Sequence, residues 1–517
     1  MIRFRTILPI LLGAALLTAH AQEPQPHPSP DQQHKGQPNA VSSMQRHYEL
    51  AYRLQDQGNL PQADVEHTAF LLDALGSIAT GYANTGDFAH AAPVYEQALA
   101  LAPDNFQLVY DYARAAMDAS DPGKALALLS PVLAPEAPAL TRAQLGSAQK
   151  IVAEALYAQG RLPSALNGFL SAAYADPSYE NMYSLAVAVL AVKDNTQAKP
   201  IFAAILRAYG DSARHRMDLG RAYGQYGYSD DAIQEFQRVL AFDPAFPGAH
   251  YSLGAAYLGE NGTHLDLAEK EFRKELARNP KDPLCYPQLG RIALARNDHR
   301  EAELDLRRAT ELDPNNSSNF LLLGSLYYRL TRMADAESAF RRAIALSLNP
   351  EHNNYEIQRA HYQLGRILAA RGNQAEAQRE LAVSQSLLDR QSQQLQDHGS
   401  GTAVPASPLA RTRIATPEDA AAFQDFLHRL SPLIAAGYNN LGVHAAMAGQ
   451  FEIAAKRFGL AAGWNPSLSG VDRNWGRAAF ASHDCAQAVA PLERAVQRGP
   501  ADGELSSMLA ACRAAVK

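Results

Sequence analysis

Residues 219–244 read LGRAYGQYGYSDDAIQEFQRVLAFDP, a run in which Gly220 and Ala232 alternate with large apolar side chains. Closely spaced glycines serve either to bring backbone against a phosphate or to let two helices touch. The order Gly220–Gly224–Gly227 is not that of a phosphate loop and no strand-like run precedes it, so nucleotide binding is set aside. The apolar positions instead recur at intervals of three and four, the helical period. The stretch therefore reads as two helices. The first ends near Gln225 and turns through Gly227; the second is capped by Ser229, carries Asp230 and Asp231 in its first turn beside the exposed amides, and stops at Asp243–Pro244. Gly220 and Ala232 are expected where the paired helices cross, with Tyr223 and Phe236 filling the space around them.

The same order returns along the chain. Leu253, Gly254 and Tyr257 precede Ala268, Phe272 and Pro280; Leu289 and Gly290 precede Ala302, Leu306 and Pro314; Leu323, Gly324 and Tyr327 precede Ala336 and Phe340; Leu364 and Gly365 precede Ala377 and Leu381. From 219 to 253 to 289 to 323 the steps are 34, 36 and 34 residues, the spacing of a helical repeat. Weaker copies run back through Gly160, Ala165 and Phe169 to Tyr82, Gly86 and Ala91. Two more lie near the end, around Leu441, Gly442 and Phe458 and around Trp475, Gly476 and Leu492. The count is about eleven units.

This alternation of small residue, aromatic, turn, alanine, aromatic and closing proline resembles the tetratricopeptide repeat family over most of residues 72–500. The resemblance implies an all-α fold, a right-handed superhelix of antiparallel helix pairs whose first helices line a concave binding surface. It implies an architecture and a binding role, and it leaves the partner open.

The N-terminus has the order of a secretory signal peptide: Arg3 and Arg5, the apolar ILPILLGAALL of residues 7–17, then Ala19-His20-Ala21. Cleavage after Ala21 is expected, leaving no integral membrane segment and a periplasmic or secreted protein. Residues 22–40 read as a disordered, Pro- and Gln-rich linker, 41–71 as N-terminal capping helices, 72–397 as the main array, 398–417 as a flexible linker, and 418–517 as C-terminal units with a capping helix. The 398–417 segment either hinges two arrays or folds back over the concave face, and the hinge is the preferred reading. Cys485 opens the second helix of the last unit, and Cys512 lies in ELSSMLAACRAA, residues 504–515, which an antiparallel third helix would bring back beside it. In an oxidising compartment the two can form a disulfide; otherwise they are two small buried hydrophobes. Cys285 has no partner near it in sequence and is expected to be a buried free thiol.

The 47 Lys and Arg against 53 Asp and Glu exert no general pull toward nucleic acid. His215, His250 and His264 fall between separate helices, and there is no HExxH, Cys cluster or nucleophile elbow. The chain reads as a non-enzyme without cofactor, metal or nucleic-acid partner. Its candidate groove comes from residues that leave the packed stripe. Two positions past the anchors of the repeat, Leu219, Leu289, Leu364 and Trp475, stand Arg221, Arg291, Arg366 and Arg477, a discontinuous basic row. Tyr183, Tyr251 and Tyr362 stand two positions before the anchors Leu185, Leu253 and Leu364 on first helices. Arg forks bind carboxylates and Tyr faces cover apolar groups, so the expected function is a scaffold holding another protein or an extended peptide, in envelope assembly or export. The alternative is a glycan-binding or polysaccharide-export helper whose tyrosines cover sugar faces.

Overall fold

The computed structural model describes residues 37–259, 264–347, 354–397, 416–498 and 502–516. The signal peptide at 1–21, residues 22–36 of the expected N-terminal linker and all but the last two residues of the 398–417 linker lie outside them. Every described regular element is an α-helix; there are twenty-four, and no strand occurs among the described residues. They are organised as roughly eleven antiparallel hairpins, preceded by Gln37–Asp56 and followed by Gly503–Val516. The chain divides into two compact units: a central one of residues 160–407, and a terminal one that joins residues 24–159 to 408–517.

In the central unit the opening stretch forms the Ala213–Gln225 and Ser229–Phe242 helices. Gly227, at φ 81°, makes the turn, a left-handed conformation that glycine adopts without steric cost. The same left-handed residue falls eight positions past the anchor in other hairpins, as Lys193, Asn297, Thr331 and Gly372. Ser229 is not the cap: Tyr228 occupies that position and Ser229 is the first helical residue, while Asp230 and Asp231 do fill the first turn. A Cβ on Gly220 would lie 2.6 Å from the Phe236 ring, so the helices cross with no room for a side chain there. Gly254 meets Phe272, Gly290 meets Leu306, Gly324 meets Phe340 and Gly365 meets Leu381 in the same way, each below 3.0 Å. Ala232 faces Gly224 instead, where a Cβ would lie 3.8 Å from its methyl.

A second register accompanies this one. The residue three before the anchor faces the seventh residue of the following helix, giving Arg216–Glu235 at 2.7 Å, His250–Glu271 at 2.6 Å and His361–Glu380 at 2.5 Å. Phe320 and Ala339 replace the pair by apolar groups. In the remaining hairpin the acid, Asp305, is buried but Tyr286 stands where the base would be, and its hydroxyl donates to the Pro280 carbonyl instead. Burial pushes Asp305 up to about 6, helped by Glu301 and opposed by Arg273. Because its carboxyl titrates higher folded than unfolded, the penalty is absent below about pH 4 and complete above about pH 6. Asp305→Asn is therefore expected to raise stability at pH 7 by roughly 2 kcal/mol and to leave it unchanged at pH 3.5; urea denaturation at the two pH values tests this, and an equal shift at both would contradict it.

Consecutive hairpins are also tied along their second helices. Arg273 reaches Glu301 at 3.3 Å, Arg332 reaches Glu303 at 2.8 Å, Arg341 reaches Glu376 at 2.6 Å, Arg296 binds Asp266 at 2.5 Å and also Glu269, and Arg371 binds Glu337. The Tyr209 hydroxyl and the Arg342 guanidinium donate to the carbonyls of Pro177 and Pro314, at 2.7 and 3.3 Å, so the prolines that end one hairpin anchor the end of the next.

The terminal unit departs from the expectation of a C-terminal block standing apart. Its core combines Phe70, Leu71 and Ile78 of Leu60–Asn84 and Tyr95 of Phe88–Leu101 with Tyr438 and Leu441 of Pro417–Met447 and Phe458 of Phe451–Trp464. The fit is close: a Cβ on Gly81 would lie 2.1 Å from the Phe423 ring, and one on Gly437 3.3 Å from Leu71. Trp464 Nε1 donates to Gln97 Oε1 at 3.0 Å. The 31-residue Pro417–Met447 helix makes this possible by presenting one face to Leu60–Asn84 and another to its own hairpin partner. At the far end Cys485 and Cys512 form a disulfide with Cα atoms 4.7 Å apart. Cys285 is a buried free thiol in the central unit.

Candidate functional site

In the central unit the first helices of successive hairpins touch one another, Tyr179–Ala191 with Ala213–Gln225, the latter with Ala249–Leu258, and Cys285–Ala295 with Ser317–Arg329 and onward to Asn354–Ala370. They make one layer, and Arg221, Arg291 and Arg366 are all exposed on it. Arg221 and Arg291 make no ion pair among the described residues. Arg366 holds its guanidinium 5.8 Å from the Tyr328 ring and 5.9 Å from the Tyr362 ring, an arrangement that fixes the cation without neutralising it. Arg329, which the sequence reading passed over, is also exposed and without an ion pair among the described residues. It sits six past the Leu323 anchor, so extending the row by one helical turn would have found it.

Between the hairpins that start at Ala213 and Ala249 a cavity of about 370 Å³ opens, lined by Arg221, Gly224, Gln225, Phe236, Tyr251 and Ala255 among others. Its origin is legible in the repeat: five past the anchor other hairpins carry Leu258, Leu294 or Tyr328, and this one carries Gly224. Tyr251 is half-buried against Phe272, with rings 5.7 Å apart. Burial raises its hydroxyl, Gln288 bonds to it, and the positive charge of Arg291 acts on it. Tyr251 thus lines the cavity beside Arg221 and bonds to Gln288 of the following hairpin.

The other candidates are placed differently. The Tyr183 hydroxyl donates to the Asp218 carbonyl at 3.1 Å and its ring stacks on Tyr179, whose hydroxyl donates to the Asp218 carboxylate at 3.0 Å. Tyr362 is 45% exposed, the most open of the three tyrosines, and two first helices separate it from Tyr251. Arg477 belongs to the terminal unit, where Glu504 at 2.6 Å and Asp502 at 3.7 Å hold it; it fastens the last helix and does not continue the row. Among the described residues no group of three or more His, Cys, Asp or Glu side chains is arranged to hold a metal ion, and no helix is long and apolar enough to cross a membrane.

Family profiles described as tetratricopeptide repeat match residues 84–150, 288–351 and 321–382, and one described as TPR repeat matches 220–260. The matches at 220–260, 288–351 and 321–382 fall on hairpins whose close glycine crossings are described above. The chain carries tetratricopeptide repeats. Repeats of this family form protein–protein interaction surfaces.

Several relatives share parts of this repeat protein. The type IV pilus assembly protein PilF of Pseudomonas aeruginosa is 28% identical over 142 residues, covering 27% of this chain and 56% of that protein. Human tetratricopeptide repeat protein 13 is 27% identical over 143 residues, 27% of this chain and 16% of its own length. Mouse DnaJ homolog subfamily C member 3 is 25% identical over 203 residues, 34% and 38% respectively. The repeat protein thus matches about half or less of the length of these curated relatives. Among solved structures, a tetratricopeptide repeat protein from Parabacteroides merdae aligns over 55% of this chain and 98% of its own, at 17% identity and a TM-score of 0.35. MamA from Desulfovibrio magneticus aligns over 33% and 94%, at 20% identity and 0.29.

Proposed function

We propose that this repeat protein is a periplasmic or secreted scaffold in envelope assembly or export, and that the first-helix layer of its central unit binds an extended, acidic segment of another protein. The observation that carries the reading is a contrast between two sets of arginines. Along the second helices and the turns, Arg273, Arg296, Arg332, Arg341 and Arg371 all engage carboxylates. On the first-helix layer Arg221, Arg291, Arg329 and Arg366 engage none among the described residues. A carboxylate supplied by a partner satisfies such guanidinium groups with charge-assisted hydrogen bonds. An extracytoplasmic setting is supported by the charged-then-apolar N-terminus and by the Cys485–Cys512 bond, which suits an oxidising compartment. The partial likeness to a pilus assembly protein agrees with an envelope role. Glycan binding draws on the exposed Tyr362 and on Tyr251 in the cavity, whereas the Tyr183 hydroxyl is engaged with Asp218.

Replacing Arg221, Arg291 and Arg366 together by Ala tests the reading. Crosslinked capture of partner proteins from the native envelope is expected to fall by about tenfold or more, and the salt sensitivity of wild-type capture to shrink with it. Unchanged capture would sink the proposal, and salt-insensitive retention of glycan by both proteins would move it to the alternative.

A further inference from the structure

The terminal unit gathers buried polar groups where Leu60–Asn84 meets Pro417–Met447. His67, on the first of these helices, is fully buried, and His444, on the second, is nearly so; their rings lie 6.2 Å apart. His67 Nε2 has Gln55 Oε1 at 3.3 Å and Asn440 Nδ2 at 3.4 Å, whereas Nδ1 has no hydrogen-bond partner among the described residues. His444 Nδ1 lies 2.5 Å from Asp64 Oδ1. Gln37–Asp56 closes the site with the Tyr52 ring, edge-on to His67 at 5.4 Å. His47 and Glu66 form a separate pair at 2.5 Å. The charged and titratable groups around His67 are therefore Asp64 on its own helix, Tyr52 on the preceding one and His444 on the docked one, with the amides of Gln55 and Asn440 completing the surround. Two imidazoles share a single carboxylate, and His444 already holds it.

We propose that acidification releases the Pro417–Trp464 hairpin from Leu60–Asn84, with the buried His67–His444 pair as the proton-sensitive latch. In the docked state a proton added to His67 meets no acceptor at Nδ1 and sits beside His444. Once the helices part, water solvates the imidazolium. Burial, with His444 next and Asp64 opposing, holds His67 down at about 4. A histidine whose value is depressed by docking favours the docked state fully above about pH 6.5, and that advantage is lost as pH falls toward 4. Between pH 7 and pH 5 the equilibrium is expected to move about 20-fold toward release.

Hydrogen exchange of the full chain, corrected for the intrinsic pH dependence of amide exchange, measures this directly. Protection over residues 60–84 and 417–447 is expected to drop about 20-fold at pH 5 relative to pH 7, while the hairpins of the central unit keep theirs. His67→Gln retains a polar side chain that cannot titrate and is expected to abolish the difference. His444→Gln frees Asp64 to accept a proton-bearing His67 and is expected to reduce it, which keeps the test available should the first variant fail to dock at pH 7. Equal protection of the wild type at both pH values, or an undiminished loss in both variants, overturns the proposal.

Discussion

Phe340→Ala is expected to destabilise the hairpin from Ser317 to Leu346 by about 3–5 kcal/mol, and the added substitution Gly324→Ala to return part of that loss. Phe340 is fully buried, and a Cβ on Gly324 would lie 2.8 Å from its ring and 3.3 Å from the Ala339 methyl. Alone, Gly324→Ala forces the ring aside at about 1–3 kcal/mol, outweighing the roughly 1 kcal/mol that Ala gains over Gly in a helix. With the ring gone, the same methyl enters the cavity it left. The two changes should therefore couple by about 1–2 kcal/mol in a double-mutant cycle, measured by urea denaturation and by exchange over residues 317–346. Simple additivity would mean that the helices can separate freely at the crossing, against the close packing described for five hairpins of the central unit.

Removing the Cys485–Cys512 disulfide by replacing both cysteines with Ala is expected to cost the end of the terminal unit about 3–4 kcal/mol, given a sequence separation of 27 residues. The cost should be local. Gly503–Val516 buries Leu505, Leu509 and Cys512 in the shared core, and its other attachments include the Arg477–Glu504 pair and the Arg513–Glu493 pair. Exchange protection is expected to collapse over residues 503–516 and to persist over 60–101. Undiminished protection of the last helix would show that core burial alone secures it.

The repeat was legible because each hairpin solves the same packing problem with the same residues, so Gly220, Phe236 and Gly227 announce themselves by recurrence. Arg221, Arg291 and Arg366 were legible for the converse reason: the repeat does not use them. What sequence could not show is pairing between distant segments. Nothing near Phe423 signals that it closes on Gly81, and nothing near Arg477 signals that Glu504 will claim it. The Ser229 cap failed on a shift of one residue, since Tyr228 takes that position. The buried pairs Arg216–Glu235, His250–Glu271 and His361–Glu380 were missed although their register is as regular as that of the anchors. A mixture of Arg, His and Tyr at one position hides a common role from a search keyed to identity.

The terminal unit is built from both sides of the chain's middle, and this sets an order of events during synthesis. On Leu60–Asn84, Gly81 and Leu71 meet Phe423 and Gly437 only after residues 85–416 have been made. At about 5–20 residues per second that is some tens of seconds, during which a newly made apolar surface stands open to chaperones, to neighbouring nascent chains and to aggregation.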